Sequence, residues 1–226
     1  MPIGSRQTGA RAGRRRLVFA MVIMAALAIS LVIGLSRSCN STSVAAAGVI
    51  AWNPSHQDDT GRSGWHEYAI CGDIAKRTMK LLPGFKNVLC WRTDMGLASS
   101  DAAALKAECE KASAARAQVF IALHVDGGAA SGVSGYYCEG DSTSAHYAET
   151  LLRSVATSMG MAFLAVKPRS DLLVLEPANN KARIRVLLEL GDNVADRKLL
   201  SSAKGRQRLA AALAKALKEN APSAFR

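Results

Sequence analysis

Three apolar runs constrain this chain more than any other feature: "AGVIAW" (47–52), "QVFIALHV" (118–125) and "RIRVLLEL" (183–190). Each is too short for a buried helix and too continuously apolar for a strand with one wet face. Such runs read as strands covered on both sides. Between them lie segments with helical spacing at 66–82, 99–117, 143–160 and 205–220. Further strands are expected at 87–92, 133–140 and 171–176. Strands alternating with helices give an α/β domain, one sheet with helices on both faces, here bounded at 48–220 with a tail at 221–226. No repeat is apparent.

The chain opens differently. Residues 1–16 carry five arginines and no acid, and residues 17–35, "LVFAMVIMAALAISLVIGL", are apolar apart from Ser30 and Gly34. Nineteen residues of helix span about 28 Å, close to the hydrocarbon thickness of a bilayer. A cleaved signal usually has a shorter apolar core, and arginines on the leading flank hold that end inside. The reading is a basic cytoplasmic N-terminus (1–16), a single-pass transmembrane signal anchor (17–35), a small polar tether (36–47), and a domain outside the cell. The alternative is cleavage near "VAAAG" (44–48) and secretion to the cell wall.

Export bears on charge and cysteines. Part of the net charge of +11 belongs to the leading arginines, and more of it to the stretch after Asp196. A solvated amphipathic helix is the economical account of that basic tail. Nucleic acid is excluded as a partner, because the domain is exported and carries no binding motif. Cys71, Cys90, Cys109 and Cys138 permit three pairings, and one or two disulfides are expected in an oxidising compartment. Buried free thiols are the alternative.

Reactive groups in such sheets gather beyond the carboxyl ends of strands. His56 follows the first strand, His124 and Asp126 end another, and Glu189 ends the last long apolar run. A carboxylate there is costly unless paired or used. His56, Glu67 and His124 make a two-histidine, one-carboxylate set of the kind hydrolytic zinc takes, with Glu189 left over for proton transfer. Turn capping and solvated surface positions are the competing accounts of the same scattered residues. His66 is a rival for Glu67's neighbourhood, Glu176 a rival for Glu189, and Asp58 and Asp59 read as turn residues. Asp126 either bonds a ligand histidine or caps the next turn, and Arg92 either meets substrate or pairs with Asp94.

The order of four segments carries a resemblance. "NPSHQD" (53–58) leads to Glu67, with ten residues between it and His56, followed by "WRTD" (91–94), "FIALHVDG" (120–127) and "VLLELGDN" (186–193). This series resembles the zinc-dependent N-acetylmuramoyl-L-alanine amidases of the Amidase_3 type over roughly residues 48–218. Their pattern runs D-P-G-H-G-G, a helix-leading Glu, T-R-x-x-D, S-I-H-x-N and L-V-E-x-G-F. The resemblance implies a mixed, mostly parallel six-stranded sheet. It implies Zn2+ held by His56, Glu67 and His124, with Glu189 as catalytic base and acid. The reaction implied is hydrolysis of the amide between N-acetylmuramic acid and L-alanine in peptidoglycan, by a monomeric catalytic domain.

The departures support a rival reading, a catalytically degenerate amidase fold that binds wall or partner without turnover. Asn53 stands for the family's Asp, Ser55 for a Gly, and Asp192 for an aromatic residue. A third class, an exported zinc carboxypeptidase, calls for an H-x-x-E pair beside the metal.

Overall fold

The computed structural model describes residues 48–57, 65–96, 102–128, 130–220 and 225. The expected N-terminus, anchor and tether lie outside the described residues, as do Asp58 and Asp59 and all of the tail but Phe225. Among the described residues no helix is long and apolar enough to cross a membrane.

Among the described residues there are six strands and five α-helices. They run β1 (Val49–Pro54), α1 (Glu67–Lys80), β2 (Lys86–Leu89), α2 (Ala102–Ala114), β3 (Val119–Asp126) and β4 (Val133–Cys138), then α3 (Ser142–Met159), β5 (Phe163–Arg169), β6 (Ile184–Asp192), α4 (Arg197–Ser201) and α5 (Ala203–Glu219). The strands form one sheet in the order β2-β1-β3-β6-β4-β5. All neighbours are parallel except β4 and β6, so the sheet is mixed and mostly parallel, as expected.

This order decides where a site can lie. From β1 the chain goes to β2 on one side, then returns to β3 on the other. The carboxyl ends of β1 and β3 therefore flank a switch point, where connections diverge and leave a crevice. β6 lies parallel beside β3, so its carboxyl end opens on the same edge.

Strand alternation divides the core in two. Ile50, Trp52, Ile121, Leu123, Val186 and Leu188 face the larger core, which α1, α3 and α5 cover. Ala51, Phe120, Ala122 and Leu187 face a smaller one beneath α2. On α1 the buried Ile70, Ile74 and Thr78 recur at four-residue steps, one apolar stripe turned to the sheet. Asp141 caps α3 by accepting from Ser144 N at 3.0 Å. Gly160, at φ +68°, ends that helix in the left-handed conformation that favours glycine.

Two expectations need correcting. The strand expected at 171–176 is instead a single 3-10 turn, Leu173–Leu175, whose apolar side chains fill the smaller core. The strand in this region is β5, an edge strand with no fully buried residue, so it leaves no apolar run in the sequence. The four cysteines of the domain are free thiols rather than disulfides. Cys71 lies in the larger core while Cys90 and Cys109 lie in the smaller, so the sheet separates them.

Candidate active site

The residues that directly follow β1 are pinned from two sides. Ser55 N donates to Leu123 O at 2.8 Å, and Tyr68 N, on α1, donates to Gln57 O at 3.2 Å. The buried Ser55 hydroxyl accepts from Gln57 N at 3.1 Å. His56 is thereby held between the end of β1 and the start of α1. Its ring stands edge-on to that of His124, with centroids 5.5 Å apart.

Glu67, the first residue of α1, is buried and reaches across to β3. Its Oε1 lies 3.1 Å from His124 Nδ1 and accepts from Val125 N at 3.2 Å. Position and charge agree, since a carboxylate at a helix N-terminus faces free N–H groups. Glu189 is the register partner of His124 in the parallel pairing of β3 with β6. Its Oε2 is shielded from solvent and has no hydrogen-bond partner.

The site's electrostatics follow from this crowding. Burial, reinforced by His124 and Arg92, lowers the His56 pKa to about 4, so the ring is neutral at physiological pH. Burial would lower His124 too, but the hydrogen bond to Glu67 and the charges of Glu189, Glu67 and Glu108 outweigh it and raise its pKa. Burial, with help from Glu67 and Asp126, lifts Glu189 to about 7 against the pull of His124. A carboxyl poised near neutrality can both take and return a proton.

These groups open into a cleft of about 360 Å³ that includes His56, His124, Glu189, Tyr136, Arg169 and Leu173. Arg169 lies over the Tyr136 ring, 5.4 Å from its centroid, and pairs with Asp171 at 2.6 Å. The structure thus brings together all four residues singled out in the sequence.

The rivals fall elsewhere. His66 is exposed at the head of α1, beside Tyr68, and His146 is exposed on α3. The chain's H-x-x-E spacing is His146–Glu149, and Glu149 is engaged by Arg153 at 2.7 Å, away from the cleft. Glu176 accepts from Asn179 Nδ2 in a turn. Asp126 Oδ1 accepts from Gly127 N at 2.7 Å, which is the turn-capping alternative. Asp94 pairs with Lys76 rather than Arg92, whose buried guanidinium lies over Tyr68. Among the described residues no three His, Cys, Asp or Glu side chains already stand as a metal-holding group. By donor chemistry His56, Glu67 and His124 fit zinc: two imidazoles, one held neutral, and a carboxylate within reach of one another.

The family model for N-acetylmuramoyl-L-alanine amidases matches residues 50–219. The chain belongs to this amidase family. Its reaction is hydrolysis of the amide between N-acetylmuramic acid and L-alanine in peptidoglycan. Solved amidases share the fold. The apo form from Mycobacterium abscessus superposes with a TM-score of 0.65 at 18% identity, covering 78% of this chain and 100% of that one. The amidase from Clostridium difficile 630 gives 0.64 at 18% identity, covering 78% and 97%. That from Mycobacterium smegmatis gives 0.62 at 21%, covering 77% and 97%. No curated protein matches.

Within this amidase the departures have structural partners. Asn53 Nδ2 donates to Cys90 O and to Glu108 Oε2, each at 2.8 Å, and Glu108 Oε1 accepts from Arg92 N at 2.7 Å. A carboxylate at position 53 would face the buried Glu108, so the amide is the complement of that acid. Sequence reasoning missed Glu108; its one signal was an acid on the face of α2 that also carries Ala104 and Ala112. Asp192 is a peg for the loops, accepting from Gly128, Val194 and Ala195 N at 2.9, 2.8 and 2.6 Å.

Proposed function

We propose that this amidase is a zinc enzyme in which His56, Glu67 and His124 hold the metal and Glu189 carries the proton. The observation that supports this most is the adjacency of Glu67, His124 and Glu189, the last two of which line the cleft. Zinc, when bound, supplies Lewis acidity toward the scissile carbonyl and the attacking water. His56 offers a ring lone pair because it stays neutral. Glu67 and Val125 N fix where His124 points. Glu189 takes the proton of the attacking water on its unpartnered Oε2 and delivers it to the L-alanine nitrogen as the amide breaks. Tyr136 and Leu173 form cleft walls against which the lactyl-peptide segment lies.

The test is release of new L-alanine amino termini from purified peptidoglycan. Activity is expected to vanish on chelation and return with zinc; full activity after chelation contradicts the proposal.

We further propose that residues 17–35 anchor the amidase in the cell membrane with its catalytic domain on the wall side. Nineteen apolar residues behind an arginine cluster support this reading. Carbonate extraction is expected to leave the full-length chain with the membrane. Recovery of an uncleaved chain in the soluble fraction contradicts it.

A further inference from the structure

A second cavity opens beside the head of α1, and it shares no lining residue with the cleft. It encloses about 380 Å³ between Trp65, His66 and Ile70 on one wall and Arg197, Ser201 and Arg206 on the other. Two of its polar groups are satisfied. Trp65 Nε1 donates to Ser201 Oγ at 3.0 Å, and Arg206 binds Asp73 and the carbonyls of Leu200 and Ser201.

Arg197 is different. Its guanidinium lies 5.7 Å from the Trp65 ring centroid, and its NH1 nitrogen is shielded from solvent with no hydrogen-bond partner. A shielded N–H of a half-buried cation, left without an acceptor, forfeits the hydrogen bond that water would give it. The ligand that removes the penalty is an anion. Asp73 is shared between Arg206 at 2.5 Å and Arg77 at 2.9 Å, so the wall keeps a net positive charge that favours an anion. The wall of Trp65 and Ile70 is apolar, which suits a peptide carboxylate rather than an inorganic ion.

Position supplies the rest. Trp65 stands two residues before Glu67, and Arg197 opens the helix that follows β6, the strand of Glu189. The cavity is therefore walled by the elements that carry the reacting groups. We propose that it is a subsite for a free carboxylate of the stem peptide, with Arg197 as donor and Trp65 as wall. This rests on the amidase reading for its substrate class.

The test separates the two. Calorimetry would measure binding of a stem peptide with free carboxylates, and of the same peptide fully amidated, to the full chain and to Arg197→Gln. The wild type is expected to favour the free acid by about tenfold or more, the scale of one charged hydrogen bond. Arg197→Gln is expected to lose that preference while its affinity for the amidated peptide is unchanged, which also shows that the variant is folded. Arg197→Lys is expected to keep part of it. No preference in the wild type, or an equal preference in Arg197→Gln, overturns the subsite. Preference without hydrolysis of peptidoglycan by the same preparation leaves the subsite standing and sinks the amidase mechanism instead.

Discussion

His124 and Glu189 are direct partners across the β3–β6 pairing, one on each of two parallel strands that end on the same edge. Side chains at paired positions project to the same face of a sheet, so the imidazole and the carboxyl share one small volume. Backbone register, set by buried Leu123 and Leu188 alongside, fixes that proximity more firmly than a loop could.

Glu189 makes stability depend on pH. In the fold it keeps its proton up to about pH 7, whereas an unfolded carboxyl loses it near 4.5. Between these values the folded state binds more protons, so stability falls as pH rises through the window. Urea unfolding of the metal-free chain is expected to show Glu189→Gln more stable than wild type above pH 7, by about 3 kcal/mol, with the gap closing toward pH 4. An unchanged gap across the range contradicts the assignment.

His56 is expected to titrate far from an ordinary histidine. Proton NMR of the metal-free chain follows the four histidines separately. The His56 signal is expected to move near pH 4, and His124 above the usual 6.5. The depressed His56 value costs stability as pH falls from 6.5 to about 4, the opposite sign to Glu189. A His56 midpoint at 6.5 would show the ring to be solvated.

Asn53 and Glu108 form a complementary pair that a swap can test. Asn53→Asp places two carboxylates against each other in a buried site and is expected to cost about 3 kcal/mol. Adding Glu108→Gln restores an amide–carboxylate pair and most of that loss. Failure of the double variant to recover, measured by urea unfolding, removes the pair as the reason for Asn53.

Thiol reactivity checks the cysteines. Burial pushes Cys90 and Cys109 up to about 12 and Cys71 higher than its ordinary value. Among the four, only the partly exposed Cys138 is expected to react with a thiol reagent before unfolding. Equal reaction of all four in the folded chain contradicts the packing.

Much of this was legible in the sequence because central strands are buried on both faces. β1 and β3 appear as apolar runs and β6 as one interrupted only by Arg185, and His56, His124 and Glu189 lie toward their carboxyl ends. β5 was not legible, since half of it faces solvent and Pro168 interrupts it. The nearby Leu172–Leu175 run is apolar for a different reason, as a plug for the smaller core. The four residues proposed for the site were suggested by their order along the chain. Glu108, Tyr136 and Arg169 were not, because each reaches the site through packing between distant segments that no local spacing records.

The most direct test of the account pairs metal content with turnover in Glu189→Gln. The purified variant is expected to retain zinc at about one per chain while losing at least about a hundredfold of the rate of amide hydrolysis. Wild-type turnover in that variant, or loss of its zinc, would contradict a Glu189 that moves protons beside a metal held by His56, Glu67 and His124.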